Sequence, residues 1–304
     1  MLSGHPPSPP PPAPRPPPPV FGQMTILGVG LIGGSLALAA KRAGAVERVV
    51  GVSRSAANRA AALEAGMLDE ATDDLAAAVL GADLVVMATP VYTIVAQLRE
   101  LPRLVGPACL ITDVGSVKGP ILAEGDAAFP DGRFVAGHPI AGSERSGPAA
   151  GRADLFVEHN WVVTPGERTR PDALARVSAL WRAAGARVVS MAAAWHDQVF
   201  ASVSHLPHVV AYALMDTVAC LERDGERIKY AAGGLRDYTR IAGSDPEMWR
   251  DIFLMNREAL LTVMAEYRRA LDRLEAAIRA GDGGALTRQL LQLRVAREEI
   301  GHRP

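Results

Sequence analysis

Cysteine is nearly absent. Cys109 and Cys220 are the only two in 304 residues, and they lie too far apart in sequence to form a metal or redox motif. Reduced thiols in a cytoplasmic protein are therefore expected. Long apolar runs are also missing, so no segment is predicted to span a bilayer. Neither sign of charge dominates. The net charge of −1 gives no global field favouring nucleic acid or an anionic membrane surface. What remains, 49% hydrophobic and 21% charged residues, is ordinary for a soluble globular protein, and the length suggests about two domains.

Proline is plentiful but concentrated. It dominates positions 6–19, where almost no apolar side chain is available for burial. Residues 1–23 are expected to be an extended, solvated and disordered tail. The segment has no basic n-region and no apolar h-region, which makes it a poor signal peptide. A proline run is a compositional signal only, so an appendage, or translation starting at Met24, is preferred to a docking ligand.

The most informative segment follows at once. An apolar stretch, Met24-Thr25-Ile26-Leu27, runs into Gly28-Val29-Gly30-Leu31-Ile32-Gly33-Gly34-Ser35, and an alanine-rich helix continues to Lys41. This is a G-x-G-x-x-G turn between strand and helix. The first glycine permits the tight turn. The second lets a pyrophosphate approach the backbone, and the third allows close packing of helix on strand. The helix N-terminus offers free N–H groups to phosphate. A second strand at 48–52 lies at βαβ distance. Gly28, Gly30, Leu31, Ile32 and Gly33 are thus candidate cofactor contacts.

Strands are predicted at 25–29, 48–52, 84–88, 109–112, 133–136, 161–164 and 187–190, mostly separated by helices. That alternation predicts an α/β, Rossmann-type, doubly wound, mainly parallel sheet over 24–190. Ligands bind beyond the carboxyl ends of such strands. Three polar clusters fall there: Thr89-Pro90, Asp113 to Lys118, and Gly137 to Glu144. Beyond 191 the pattern becomes all-helical, with long helical regions at 199–221, 247–278 and 286–300. So much apolar helix surface in about a hundred residues predicts dimerisation through the 191–304 domain.

His138 lies past a strand end in Gly137-His138-Pro139-Ile140-Ala141-Gly142-Ser143-Glu144. A neutral imidazole there could take a proton from a substrate hydroxyl as hydride leaves the same carbon. Arg236 and Arg240 would share a helical face, where an anionic ligand would relieve their repulsion, although spacing alone favours a solvated charged face. Ser204-His205-Leu206-Pro207-His208 has metal-compatible spacing but no third ligand, so a substrate-pocket wall is preferred and no metal is expected. His196-Asp197 reads as a helix-start pair or part of that pocket.

These segments together resemble the prephenate/arogenate (cyclohexadienyl) dehydrogenase family of tyrosine biosynthesis. The resemblance rests on the glycine run at 28–35, Asp-Val-Gly-Ser-Val-Lys at 113–118 and Gly-His-Pro-Ile-Ala-Gly-Ser-Glu at 137–144. It rests also on Ser-His-Leu-Pro-His at 204–208 and the run from Gly233 to Asn256. It implies NAD(P)-dependent oxidative decarboxylation: hydride passes from the hydroxyl-bearing ring carbon to nicotinamide, and the ring carboxylate leaves as CO2. His138 resembles the family's catalytic histidine, and Ser116 the serine that orients it and the hydroxyl. Arg240 matches the arginine that binds substrate carboxylate. Ser204, His208 and Trp249 match further pocket residues, and His196 and Asp237 match residues of pocket access. The substrate implied is prephenate or arogenate.

The cofactor's 2′ position can be read from the second strand, which ends Val52-Ser53-Arg54-Ser55 with no acid at its tip. Asp or Glu there would bind both ribose hydroxyls of NAD. Two hydroxyls and a guanidinium suit a 2′-phosphate better, so use of NADP is favoured, alone or beside NAD. Thr89, Pro90 and Asp113 complete the expected cofactor contacts. Two rival readings are weaker. A hydroxyacid-type dehydrogenase would be expected to carry a lysine base on its helical domain, and a dinucleotide-sensing protein would need neither His138 nor Arg240.

Overall fold

The computed structural model describes residues 19–142, 145, 147–222 and 228–301. Most of the proline-rich tail, with Ser143 and Glu144, therefore lies outside the described residues. The chain divides into two compact units, residues 1–193 and 194–304.

The first unit opens with β1 (Phe21–Leu27), α1 (Leu31–Arg42), β2 (Val46–Val52), α2 (Ala56–Glu64), β3 (Glu70–Thr72) and α3 (Leu75–Val79). It continues with β4 (Leu84–Met87), α4 (Val91–Glu100), β5 (Leu110–Asp113), α5 (Gly119–Ala128) and β6 (Phe134–Val135). These six strands form one sheet in the order β3-β2-β1-β4-β5-β6, and every pairing is parallel. The order reverses between β1 and β4, which opens the crevice that such sheets use for ligands. Met24, Ile26, Leu27, Leu84, Val86 and Met87 are fully buried, as central parallel strands covered on both faces require.

One expectation is corrected. β7 (Gly137–Pro139), β8 (Asn160–Val163) and β9 (Arg187–Ser190) do not extend that sheet but form a second one of three strands. β7 pairs antiparallel with β8, and β8 pairs parallel with β9. The chain therefore changes sheets at Ala136, and His138 lies within a strand. Strands β3 and β7 have three residues each, too short to leave a periodic signal in the sequence. Between β8 and β9 lies α6 (Pro171–Ala183), which packs Trp181 on Trp161 with ring centroids 5.3 Å apart. Both rings belong to the main core, with Leu36 of α1 and Val49 of β2.

The second unit is helical: α7 (Ala193–Phe200), α8 (Leu206–Leu221), α9 (Gly233–Thr239), α10 (Pro246–Met255), α11 (Arg257–Ala280) and α12 (Gly283–Gly301). Two long helices expected from sequence are each interrupted. The run at 199–221 contains a π-turn, Ala201–His205, just before Pro207, which cannot donate to the helical ladder. The run at 247–278 breaks at Asn256, the residue between α10 and α11. Many apolar side chains of this unit stay exposed, including Leu254, Leu261, Ile278 and Leu290. A mostly apolar groove of about 370 Å³ is lined by Val209, Tyr212, Phe253, Arg257, Leu260, Leu261 and Met264. No described helix is long and apolar enough to cross a membrane.

Candidate active site

One row of paired residues fixes the floor of the crevice. Val52, Leu27, Met87 and Asp113 are partners across β2, β1, β4 and β5. Just beyond the row stand Ser53, Gly28, Thr89 and Ser116, so the β2 tip, the glycine turn and the first two polar clusters read from sequence share one edge of the sheet.

Steric demand differs among the three glycines of the turn. Gly28 has φ +96°, and a Cβ there would lie 2.5 Å from the Ala88 carbonyl oxygen. At Gly33 a Cβ would lie 2.4 Å from the Gly28 oxygen. A Cβ at Gly30 would meet nothing within 4 Å. The protein itself leaves that space open, as a phosphate cradle requires. Gly30 is also the N-cap of α1, with no side-chain cap, and the first turn of α1 carries no acid. Leu31 and Ile32 form that turn and present its backbone N–H groups. A pyrophosphate fits this arrangement.

The tip of β2 is tied down locally. Ser53 Oγ accepts from Ser55 N at 3.3 Å, and Ser55 caps α2 by accepting from Asn58 N at 3.2 Å. Arg54 is exposed. Arg59 was not anticipated from sequence. Its Nη1 donates to the Ser53 carbonyl at 2.6 Å and lies 3.1 Å from Asp73 Oδ2. Asp73 follows β3, so sheet pairing brings an acid near the β2 tip that the second strand itself lacks. Arg59 holds that acid in an ion pair. Thr89 Oγ1 donates to Gln97 Oε1 at 2.8 Å, and exposed Pro90 caps α4.

Asp113, expected among the cofactor contacts, turns its side chain inward. It is fully buried, and its carboxylate pairs with Lys118 Nζ. It also accepts from Gly115 N at 2.8 Å and Gly137 N at 3.1 Å. The side chain is committed inside the protein. Ser116 and His138 are each half-buried.

In the helical unit, His208 stacks on Trp249 with ring centroids 3.4 Å apart. His208 Nδ1 lies 3.0 Å from the Ser204 carbonyl, which can only accept. Nδ1 therefore carries the proton, and neutral His208 presents Nε2 as an acceptor. Burial lowers its pKa, opposed by that hydrogen bond. The Trp249 indole N–H is buried with no acceptor among the described residues. His196 is buried, 2.8 Å from Asp197 Oδ1. His205, the other histidine of its motif, is buried beneath this surface. Asn256 Nδ2 donates to His205 Nδ1 at 3.1 Å and to the Asp197 carbonyl at 2.9 Å. Burial pushes the His205 pKa down to about 4. No Gly or Pro marks the break that positions Asn256, so sequence periodicity alone does not single it out. Arg236 and Arg240 do not share one regular helix. Arg236 and exposed Asp237 lie on α9, whereas exposed Arg240 starts a 3₁₀ turn, Arg240–Gly243. Among the described residues no group of three or more His, Cys, Asp or Glu side chains is arranged to hold a metal.

Two models for the family cover most of the chain. "Prephenate dehydrogenase, nucleotide-binding domain" matches residues 36–190, and "Prephenate dehydrogenase, dimerization domain" matches residues 192–292. The chain belongs to the prephenate dehydrogenase family. It is 38% identical to the prephenate dehydrogenase of Bacillus subtilis over 86% of this chain and 72% of that protein. It is 37% identical to the cyclohexadienyl dehydrogenase of Zymomonas mobilis over 91% of this chain and 96% of that one. Among solved structures it is similar to prephenate dehydrogenase from Aquifex aeolicus in complex with hydroxyphenyl propionate and NAD+. That likeness has a TM-score of 0.87 and 34% identity, over 92% of this chain and 98% of that one. The family's nucleotide-binding match begins at residue 36, just after the glycine run whose geometry fits a pyrophosphate.

Proposed function

We propose that the protein is a prephenate and/or arogenate dehydrogenase that carries out NAD(P)-dependent oxidative decarboxylation. The products are 4-hydroxyphenylpyruvate and/or tyrosine, with CO2. The observation that carries this reading is half-buried His138 on β7, three residues beyond the β6 end of a sheet whose glycine turn fits a dinucleotide. Family membership supports the substrate class.

When bound, the dinucleotide supplies the hydride acceptor. Gly28, Gly30, Gly33 and the first turn of α1 hold its pyrophosphate, and Thr89 and Pro90 border the crevice. His138 takes the proton of the ring hydroxyl as hydride leaves the carbon bearing it. The ring carboxylate departs as CO2, and its bonding electrons complete the aromatic ring. His138 then returns the proton to the phenolate oxygen, so protons balance. Ser116 orients the hydroxyl against His138. Arg240 binds a substrate carboxylate in a bidentate fork. Ser204, His208 Nε2 and the Trp249 indole N–H supply polar groups for the rest of the substrate, and His196 and Asp237 govern access. Residues 191–304 form a homodimer, supported by the dimerisation-domain match and the exposed apolar helix faces. Exposed Arg54, with Asp73 neutralised by Arg59, supports use of NADP.

Steady-state kinetics with prephenate and arogenate, each with NAD+ and NADP+, test the reading directly. His138→Ala should lower kcat by about 10²–10⁴-fold, the usual contribution of a general acid–base group, while cofactor binding stays near wild type. Turnover close to wild type in this variant would remove His138 from the chemistry.

A further inference from the structure

We propose that the buried Asp113–Lys118 ion pair is the device that positions Ser116 and His138 for reaction. The inference rests on the catalytic role given to His138 above. Both side chains of the pair are fully buried. Lys118 Nζ donates to the Asp113 carboxylate and, at 2.8 Å, to the Gly137 carbonyl. Asp113 Oδ1 accepts from Gly137 N at 3.1 Å, and Oδ2 accepts from Gly115 N at 2.8 Å. The residue just before Ser116 and the residue just before His138 are thus both gripped by one pair. Gly137 is held through its N–H and its carbonyl at once.

The two glycines are where close approach demands them. A Cβ on Gly115 would lie 2.6 Å from the Ile121 side chain and 3.0 Å from Asp113 Oδ2. A Cβ on Gly137 would lie 2.5 Å from the Trp161 indole. The backbone before His138 is therefore clamped between the ion pair on one side and the Trp161 ring on the other. Stability alone is a weak reason to bury two charges, since a well-packed apolar pair is often as stable. What an apolar pair cannot do is accept two backbone N–H bonds and donate to a carbonyl. Those bonds link the end of β5 to the start of β7, across the change of sheet at which His138 is introduced. The pair makes no part of the proton transfer itself and acts through the geometry of Ser116 and His138.

A double-mutant cycle tests this. Lys118→Met and Asp113→Asn are each made alone and in combination with His138→Ala, in the full chain. Cofactor dissociation constants from fluorescence titration report folding and the intact glycine turn. Each single variant should lose at least about tenfold in kcat, the scale expected for misplaced catalytic groups, with cofactor affinity unchanged. Combined with His138→Ala, neither should cause further loss, because groups that act as a unit are not additive. Losses that multiply with that of His138→Ala would overturn the proposal, as would single variants with wild-type kcat. Lys118→Met leaves the buried carboxylate uncompensated and Asp113→Asn leaves the buried ammonium so, which is why both arms are made and each is judged against its own cofactor affinity. Failure of both to bind cofactor would mean that the pair holds the fold rather than the reacting groups, and would also overturn it. If His138→Ala itself retains turnover, the functional reading fails instead, and the two failures are distinct.

Discussion

Arg54 is the residue on which cofactor choice turns. It stands exposed at the tip of β2, while Arg59 reaches the Ser53 carbonyl and the Asp73 carboxylate. A charged hydrogen bond lost to a phosphate costs about 1.5–3 kcal/mol, or roughly ten- to a hundredfold in affinity. Arg54→Ala should therefore weaken NADP+ by that factor and NAD+ much less, as read by titration of each cofactor. Equal losses, or a wild-type enzyme inactive with NADP+, would exclude a 2′-phosphate role. The exposed charge of Arg54 could be read from the sequence because the second strand and its end are local features. Arg59 and Asp73 could not, because β3 pairing is what brings Asp73 to the β2 tip. Asp113 shows the converse case. Its place at a strand end was correct, but a strand end does not reveal whether a carboxylate faces the crevice or the interior.

Among the elements, the π-turn between α7 and α8 has the clearest physical consequence. It buries His205 beside Asn256 and leaves His208 half-buried against Trp249. Burial holds His205 neutral, with its pKa lowered from the usual 6.5 to about 4. In the unfolded chain the same group takes its proton near the usual value. Between those two pH values the unfolded state binds more protons, so stability falls as pH falls, and it is fully present only above the unfolded pKa. The whole effect amounts to about 3 kcal/mol once the pH is below both values. His208, also lowered by burial, acts in the same direction. The melting temperature should thus drop on acidification from about pH 7 to about pH 5, and His205→Asn should flatten part of that drop. Identical pH dependence in variant and wild type would place the titration elsewhere. Sequence periodicity marked helix through this whole run. It did not mark the π-turn, although Pro207, the ninth residue of that run, is a local breaker that cannot donate to the helical ladder.

At the scale of the whole molecule, the helical unit leaves more apolar surface uncovered than one chain needs. Leu261 is 53% exposed and lines the apolar groove. Burying such a leucine contributes about 1.5–3 kcal/mol, and two-fold symmetry counts it twice. Leu261→Glu should therefore weaken a homodimer by more than about a hundredfold and give monomer in sedimentation velocity at concentrations where the wild type is dimeric. A monomeric wild type would refute the dimer, and an unaffected one would place the interface elsewhere on these helices.

The sequence by itself determined the parts of this protein that are encoded locally. The strand–glycine turn–helix unit, the alternation that makes a parallel sheet, the later change to helices and the residues of each motif all follow from neighbours within a few turns of chain. Tertiary structure alone decided where the chain leaves one sheet for another at Ala136. It also decided which side of a strand end each polar group faces, and which charges find partners in the interior. Those outcomes depend on pairings between residues far apart in sequence, such as Asp113 with Gly137 and Asp197 with Asn256. Burial assigns a charged side chain its role only once such pairings exist, because an unpaired charge inside the protein is costly to keep.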